Sequence, residues 1–100
     1  MVKIVKWNNR AVAKLDNWVN YLENEVSFQA ASTLLKGISE KIDFLKKHPT
    51  VGRRVPSMKT VRFINLDKHR QMFYRVHGTT AFITDFFDVR QNPDKRPYQS

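Results

Sequence analysis

The hydrophobic period of this chain changes once, across His48–Pro56, and that change limits the folds open to it. Upstream, apolar residues recur at steps of three and four; downstream they alternate. The segment between them carries two prolines and a glycine, which deny helix and favour turns. A helical half and a strand-rich half are thus joined within 100 residues, a length expected to form one domain over 1–100. With 41% hydrophobic and 12% aromatic residues, the chain can bury a core without staples.

In the first half, Val2–Lys6 alternates and predicts a short strand. Asn8 or Asn9 then offers a side-chain oxygen to the free amides of a helix over roughly Asn9–Asn24. Its predicted buried stripe is Val12, Leu15, Trp18, Val19 and Leu22. Ser27 can cap a second helix that buries Ala31, Leu34, Leu35, Ile38, Ile42 and Leu45 and ends at His48, because Pro49 follows. Gly37 inside it costs about 1 kcal/mol relative to alanine, for which close helix–helix contact is the expected reason. Glu25–Val26 is so short a connection that the two helices must fold back as an antiparallel hairpin.

In the second half, Thr60–Leu66, Arg70–His77 and Thr80–Val89 are rich in β-branched and aromatic residues, with Gly78 marking a tight turn. They predict a three-stranded meander. The order β-α-α-β-β-β gives an α+β fold: a mainly antiparallel sheet, with the helix hairpin covering one face and the other face open. Residues 91–100 hold two prolines and no apolar period, and are expected to run over the surface as a partly mobile tail.

Eighteen Lys and Arg against nine Asp and Glu give a formal charge of +9, which draws nucleic acid, ribosome, acidic protein or anionic lipid. From Arg53 onward, ten of those cations meet only four carboxylates. The absence of cysteine excludes disulfides and thiolate zinc sites and fits a reducing compartment. No secretory h-region stands near the N-terminus and nothing approaches 18 consecutive apolar residues, so a cytoplasmic protein that does not enter membranes is expected. No glycine-rich phosphate loop, His-x-x-x-His or Gly-x-Ser-x-Gly occurs, and no metal or cofactor is expected.

Several short motifs in order carry a resemblance. They are His48-Pro49-Thr50-Val51-Gly52-Arg53 after the second helix, Val61-Arg62-Phe63, Met72-Phe73-Tyr74-Arg75-Val76, and Asp88-Val89-Arg90-Gln91-Asn92-Pro93. Together with the element order they make the chain similar to the RelE/ParE superfamily of bacterial toxins. The resemblance implies the toxin of a type II toxin–antitoxin pair, held inactive in an oligomer with a wrapping acidic antitoxin. Two targets occur in the superfamily: RelE-like members cut mRNA in the ribosome, and ParE-like members inhibit DNA gyrase.

RNA cleavage through a 2′-hydroxyl requires a proton acceptor, a proton donor and cations for the developing phosphate charge. By residue type the cations are Arg62, Arg70, Arg75 and Arg90, whose guanidinium groups fork onto phosphate oxygens. The resemblance puts Arg62 at the family's basic position after the Pro/Gly loop and Arg90 at the arginine ending the last strand. Arg70 matches the third-strand arginine only if one residue is looped out; otherwise Gln71 falls there and Arg70 turns to the opposite face. His48, His69 and His77 are the groups with suitable ordinary pKa, with Tyr98 as counterpart of a C-terminal tyrosine used by some RelE-like members. Of these, His69 beside Arg70 is the candidate, and the set Arg62, Arg90, Arg70 and His69 is catalytic only in the RelE-like case. The long hairpin and the Pro-x-x-Gly-Arg turn favour the ParE-like branch, a non-enzymatic inhibitor that needs only a recognition surface. Arg53, Arg54, Arg75, Lys95 and Arg96 are then the residues for a polyanion or target. A non-catalytic nucleic-acid-binding module, or a degenerate toxin, would use the same surface.

Overall fold

A computed structural model describes residues 1–98. Strand β1 (Ile4–Trp7) leads into helices α1 (Asn9–Glu25) and α2 (Phe28–Lys47). Strands β2 (Arg53–Val55), β3 (Met58–Asn65), β4 (Arg70–His77) and β5 (Thr80–Asp88) follow, and a 3-10 turn spans Pro93–Lys95. They form one five-stranded sheet in the order β1-β5-β4-β3-β2. β1 runs parallel to β5, and the remaining pairs are antiparallel.

Local chemistry sets the helix ends. Asn8 Oδ1 accepts from the Ala11 N–H at 2.9 Å and Ser27 Oγ from the Ala30 N–H at 3.0 Å, each satisfying an amide with no partner in its own helix. α2 stops at His48, since the ring of Pro49 disfavours helical geometry in the residue before it. The β4–β5 hairpin turns through Gly78 at φ +61°, the left-handed conformation that a two-residue hairpin loop needs at its first central position.

The main core lies between helices and sheet, where Ala11, Leu22, Ala31, Leu34, Ile38 and Leu45 meet Met72, Tyr74, Ile83 and Phe86. Each large side chain buried there contributes about 1.5–3 kcal/mol. Two positions of the predicted stripes face solvent instead: Val12 is 42% exposed and Leu35 43%. The smaller Ala11 and the adjacent Leu34 take the inward positions one residue earlier. Gly37 is also not a contact glycine, because a Cβ there would meet no atom within 4 Å.

The strand half departs from expectation in two ways. Arg53–Val55 forms an extra edge strand, so four strands rather than three follow the helices. Moreover, the sheet face away from the helices is not open throughout. Val55, Val61, Phe73 and Phe87 form a second buried cluster there, with Phe63 and Tyr98 packed against it. The tail closes this cluster: Tyr98 lies 5.6 Å from the Phe73 ring, its hydroxyl 2.8 Å from Thr84 Oγ1, and Ser57 Oγ donates to the Tyr98 carbonyl. The tail is thus a packed strap as far as Tyr98, held because an apolar sheet face left in water is unfavourable.

A bulge completes the frame. Phe73 pairs with Asp85 and Tyr74 with Ile83, so β5 has Thr84 as an extra residue. Consequently Thr84 reaches Tyr98 on the outer face, while the consecutive Asp85 and Phe86 both point towards the helices.

Candidate functional site

The predicted site residues fall into three groups. The first surrounds the turn between α2 and β2. Arg62 Nη1 donates to the Gly52 carbonyl at 2.8 Å and the Thr50 carbonyl at 3.2 Å. Tyr74, opposite Arg62 on β4, donates its hydroxyl hydrogen to the Pro49 carbonyl and accepts from the Gly52 N–H, both at 2.9 Å. Burial pushes the Tyr74 phenol above its ordinary pKa, opposed by the Gly52 amide and the Arg62 charge. Gly52 is required here: a Cβ would stand 2.8 Å from the Tyr74 ring and hydroxyl and 2.9 Å from the Phe63 carbonyl. The Pro-x-x-Gly-Arg turn is therefore clamped by Tyr74 and Arg62, with Arg53 and Arg54 exposed at its end.

The second group lies around the β3–β4 turn and the end of β5. Arg70 is on the helix-facing side, its guanidinium carbon 5.5 Å from the centre of the Trp18 ring, so no residue is looped out of β4 before Tyr74 and Gln71 takes the outer face. Arg70 Nη1 pairs with Asp67 Oδ2 at 3.0 Å, and Arg90 Nη2 with Asp88 Oδ2 at 2.6 Å. Arg70 and Arg90 line one cleft of about 440 Å³ with Trp18, Tyr21, Leu22 and Asp88. Arg70 also borders a second cleft of about 490 Å³ beside Ala30, Thr33 and Gly37. Burial would raise the Asp67 pKa, but the N–H groups of His69 and Arg70 and the Arg70 guanidinium outweigh it and hold the carboxylate below its ordinary range. Arg90 does the same for Asp88.

The third group occupies the outer sheet face. Arg75 lies over the Phe82 ring at 4.3 Å, and Arg96 over Phe63 and Phe73 at 5.0 and 5.4 Å. Arg53 pairs across from Phe63 on the same face, and Lys95 is exposed on the 3-10 turn.

The structure brings Arg70 and Arg90 together but not Arg62. Arg62 is level with Tyr74 and Arg70 is level with Asp88, four residues farther along β4, which is roughly 13 Å of strand. Arg70 thus takes the face expected when no residue is looped out, and Arg62 does not join Arg70 and Arg90 in their cleft. Arg62 and Arg70 face the helical side, one bonded to backbone carbonyls and the other to Asp67. His69, half-buried, joins the second group through its backbone, accepting from the Val89 N–H at 2.7 Å. His48 caps α2 with its ring 4.7 Å from that of Phe44, and His77 is exposed at the end of β4. Among the described residues, no three His, Cys, Asp or Glu side chains gather where they could hold a metal. None of the helices among them is long and apolar enough to cross a membrane.

One charged cluster had no signal in the sequence. Asp85, 2% exposed, accepts from Lys14 Nζ at 2.7 Å, with Arg10 at 3.7 Å. Lys14 Nζ also reaches the Phe86 carbonyl at 3.1 Å, and Asp85 Oδ1 accepts its neighbour's N–H at 2.8 Å. Only the bulge brings Asp85 to α1, and a strictly alternating strand hides it.

Residues 5–93 match a family model described as the ParE toxin of the type II toxin–antitoxin system parDE. Among solved structures, the chain resembles one of the chromosomal ParDE system from P. aeruginosa at TM-score 0.71 and 23% identity, over 88% of this chain and 97% of that one. A YoeB/ParE toxin from Agrobacterium tumefaciens gives TM-score 0.66 at 12% identity, over 86% and 98%. The YoeB dimer from Staphylococcus aureus gives 0.64 at 11%, over 87% and 97%. No curated protein matches the sequence significantly.

Proposed function

The chain belongs to the ParE toxin family of type II toxin–antitoxin systems, and from that premise we propose that it arrests growth by inhibiting DNA gyrase until an acidic antitoxin neutralises it. The observation that carries this choice of target is the state of Arg62. Its guanidinium holds the Thr50 and Gly52 carbonyls, and Arg62 is level with Tyr74, roughly 13 Å of strand from Arg70. Acid–base cleavage of RNA needs its cations and proton carriers around one phosphate, and Arg62 lines neither of the clefts that Arg70 borders. Inhibition by binding needs only a held recognition surface. The clamped turn provides one, with Arg53 and Arg54 exposed at its end. Complementary charge would favour an acidic antitoxin and speed its capture. Gyrase and the ribosome both place the protein's work in the cytoplasm.

The test runs two assays in parallel on the purified chain. Supercoiling by gyrase is expected to fall with added toxin and recover with the acidic protein encoded beside its gene. Cleaved mRNA with unimpaired supercoiling would reverse the choice of target. Replacing Arg53 and Arg54 by alanine is expected to abolish growth arrest while leaving the melting temperature within a few degrees, since exposed substitutions usually change stability by under about 0.5 kcal/mol.

A further inference from the structure

Arg70 stands where two clefts meet. One, of about 440 Å³, has Trp18 and Tyr21 in its wall; the other, of about 490 Å³, lies between α2 and the turn that joins β3 to β4. Both have the size of small-molecule sites. The Arg70 side chain is only 17% exposed, and its Nη1 is taken by Asp67 Oδ2. Its Nε is buried with no hydrogen-bond partner among the described residues. A buried donor left in this state is costly unless an acceptor reaches it from outside the chain. The edge formed by Nε and Nη2 is one of the forks through which a guanidinium grips both oxygens of a carboxylate.

Asp67 does not satisfy that edge. Its Oδ1 accepts from the His69 and Arg70 N–H groups at 2.8 and 2.9 Å, and its Oδ2 is committed to Nη1. Those bonds spread its charge, and the chain as a whole carries +9, so a further anion is tolerated beside it. The walls of the larger cleft combine hydrocarbon from Leu22, Leu34 and Leu66 with the small Ala30 and Gly37. Glycine inside a helix is unfavourable, and here no packing contact explains it: a Cβ would meet no atom within 4 Å. The room it leaves belongs to the cleft, which follows α2 from Ser27 to Gly37, roughly 15 Å.

We propose that the cleft between α2 and the β3–β4 turn binds a small carboxylic acid with an aliphatic body. Its carboxylate sits on the free edge of Arg70, a small rotation of the guanidinium presenting Nε to it, and its chain lies along Leu22, Leu34, Leu66 and Gly37. The site is on the helical side, apart from the exposed arginines of the clamped turn, and goes beyond the choice of target without depending on it. Because the ligand touches both the hairpin and the sheet, it stabilises the folded chain by mass action.

The test is isothermal titration calorimetry of the purified chain with sodium octanoate, octan-1-ol and sodium acetate at fixed ionic strength. Octanoate is expected to bind with a Kd of about 1 mM or tighter. Octanol lacks the charge and acetate the body, and each should bind at least about tenfold more weakly. Arg70→Gln should weaken octanoate binding at least about tenfold, the loss expected when a hydrogen bond to a charged group is removed. Gly37→Leu retains every charge and should weaken it as much by filling the cleft. Lys47→Gln, at the far end of α2, should change affinity less than twofold. Octanoate should raise the melting temperature of the parent and leave that of Gly37→Leu where it is, and melts without ligand establish that each variant is folded. Gyrase is absent throughout, so a negative result leaves the supercoiling result standing. Octanol bound as tightly as octanoate, unaltered binding in Gly37→Leu, equal losses from Lys47→Gln and Arg70→Gln, or no binding of octanoate at millimolar concentration would each overturn the proposal.

Discussion

Tyr74 shows how one side chain can serve both the core and a surface turn. Its ring belongs to the helix-side core, and its hydroxyl fastens Pro49 and Gly52. Tyr74→Phe leaves a buried amide and a carbonyl without their partner, and is expected to destabilise the fold by about 1–3 kcal/mol in urea denaturation. Gly52→Ala should cost a similar 1–3 kcal/mol by overpacking, because the obstructing Phe63 carbonyl is backbone and cannot swing away. The raised Tyr74 pKa adds a pH signature. Below the ordinary phenol value of 10.0 the group is neutral in both states and its contribution is intact. Above that, the unfolded chain releases a proton that the fold retains, so stability declines as pH rises through the folded pKa. In Tyr74→Phe this part of the alkaline decline, measured by denaturation midpoints between pH 9 and 11, should be absent.

At the scale of elements, what could be read in the sequence was what is decided locally. Both caps act within three residues of the amide they serve, and Pro49 stops α2 by contact with its neighbour, so the helix hairpin was legible almost to its ends. β2 escaped notice because three residues beside two prolines carry no alternation to read. The Thr84 bulge escaped because its determinants are Tyr98 and Lys14, which lie far away along the chain. Arg62 matched a family motif, yet its partners ten and twelve residues upstream set its role. Gly37 shows the converse error, a local oddity assigned a tertiary cause it lacks. With open space around its Cβ position, Gly37→Ala should stabilise α2 by about 1 kcal/mol, read as a higher denaturation midpoint. The turn between β3 and β4 and the end of β5 have an acid limit of their own. Asp67 and Asp88 both titrate below the ordinary 3.8 when folded, so their contributions are present above that value and are lost as pH falls through the folded pKa values. Melting temperatures between pH 5 and pH 2 should fall less steeply in Asp67→Asn than in the parent.

Across the whole molecule, β4 and β5 separate two apolar clusters, and polar contacts at the β5 bulge tie each side down. On the outer side, Tyr98 supplies a partner for the buried Thr84 hydroxyl and covers Phe73, so Tyr98→Ala should loosen the strap and expose that ring to an apolar dye such as ANS. On the helix side, the Lys14–Asp85 pair joins α1 to the same bulge, and its two members are unequal. Lys14 is 38% exposed and, without its partner, can extend into water; Asp85 at 2% cannot. Asp85→Asn also retains an oxygen for the Phe86 N–H, so its cost should be only about 1 kcal/mol. Lys14→Met instead strands a buried carboxylate with Arg10 at 3.7 Å as its remaining cation and deprives the Phe86 carbonyl of its donor. Loss of one member of a buried pair costs about 3–5 kcal/mol, and the approach of Arg10 places Lys14→Met near the lower end of that range. The double variant should be more stable than Lys14→Met alone, since it removes the trapped charge. A double-mutant cycle in urea measures all three terms, and a cost for Asp85→Asn equal to or above that of Lys14→Met would show that the lysine, not the bulge carboxylate, is the constrained partner.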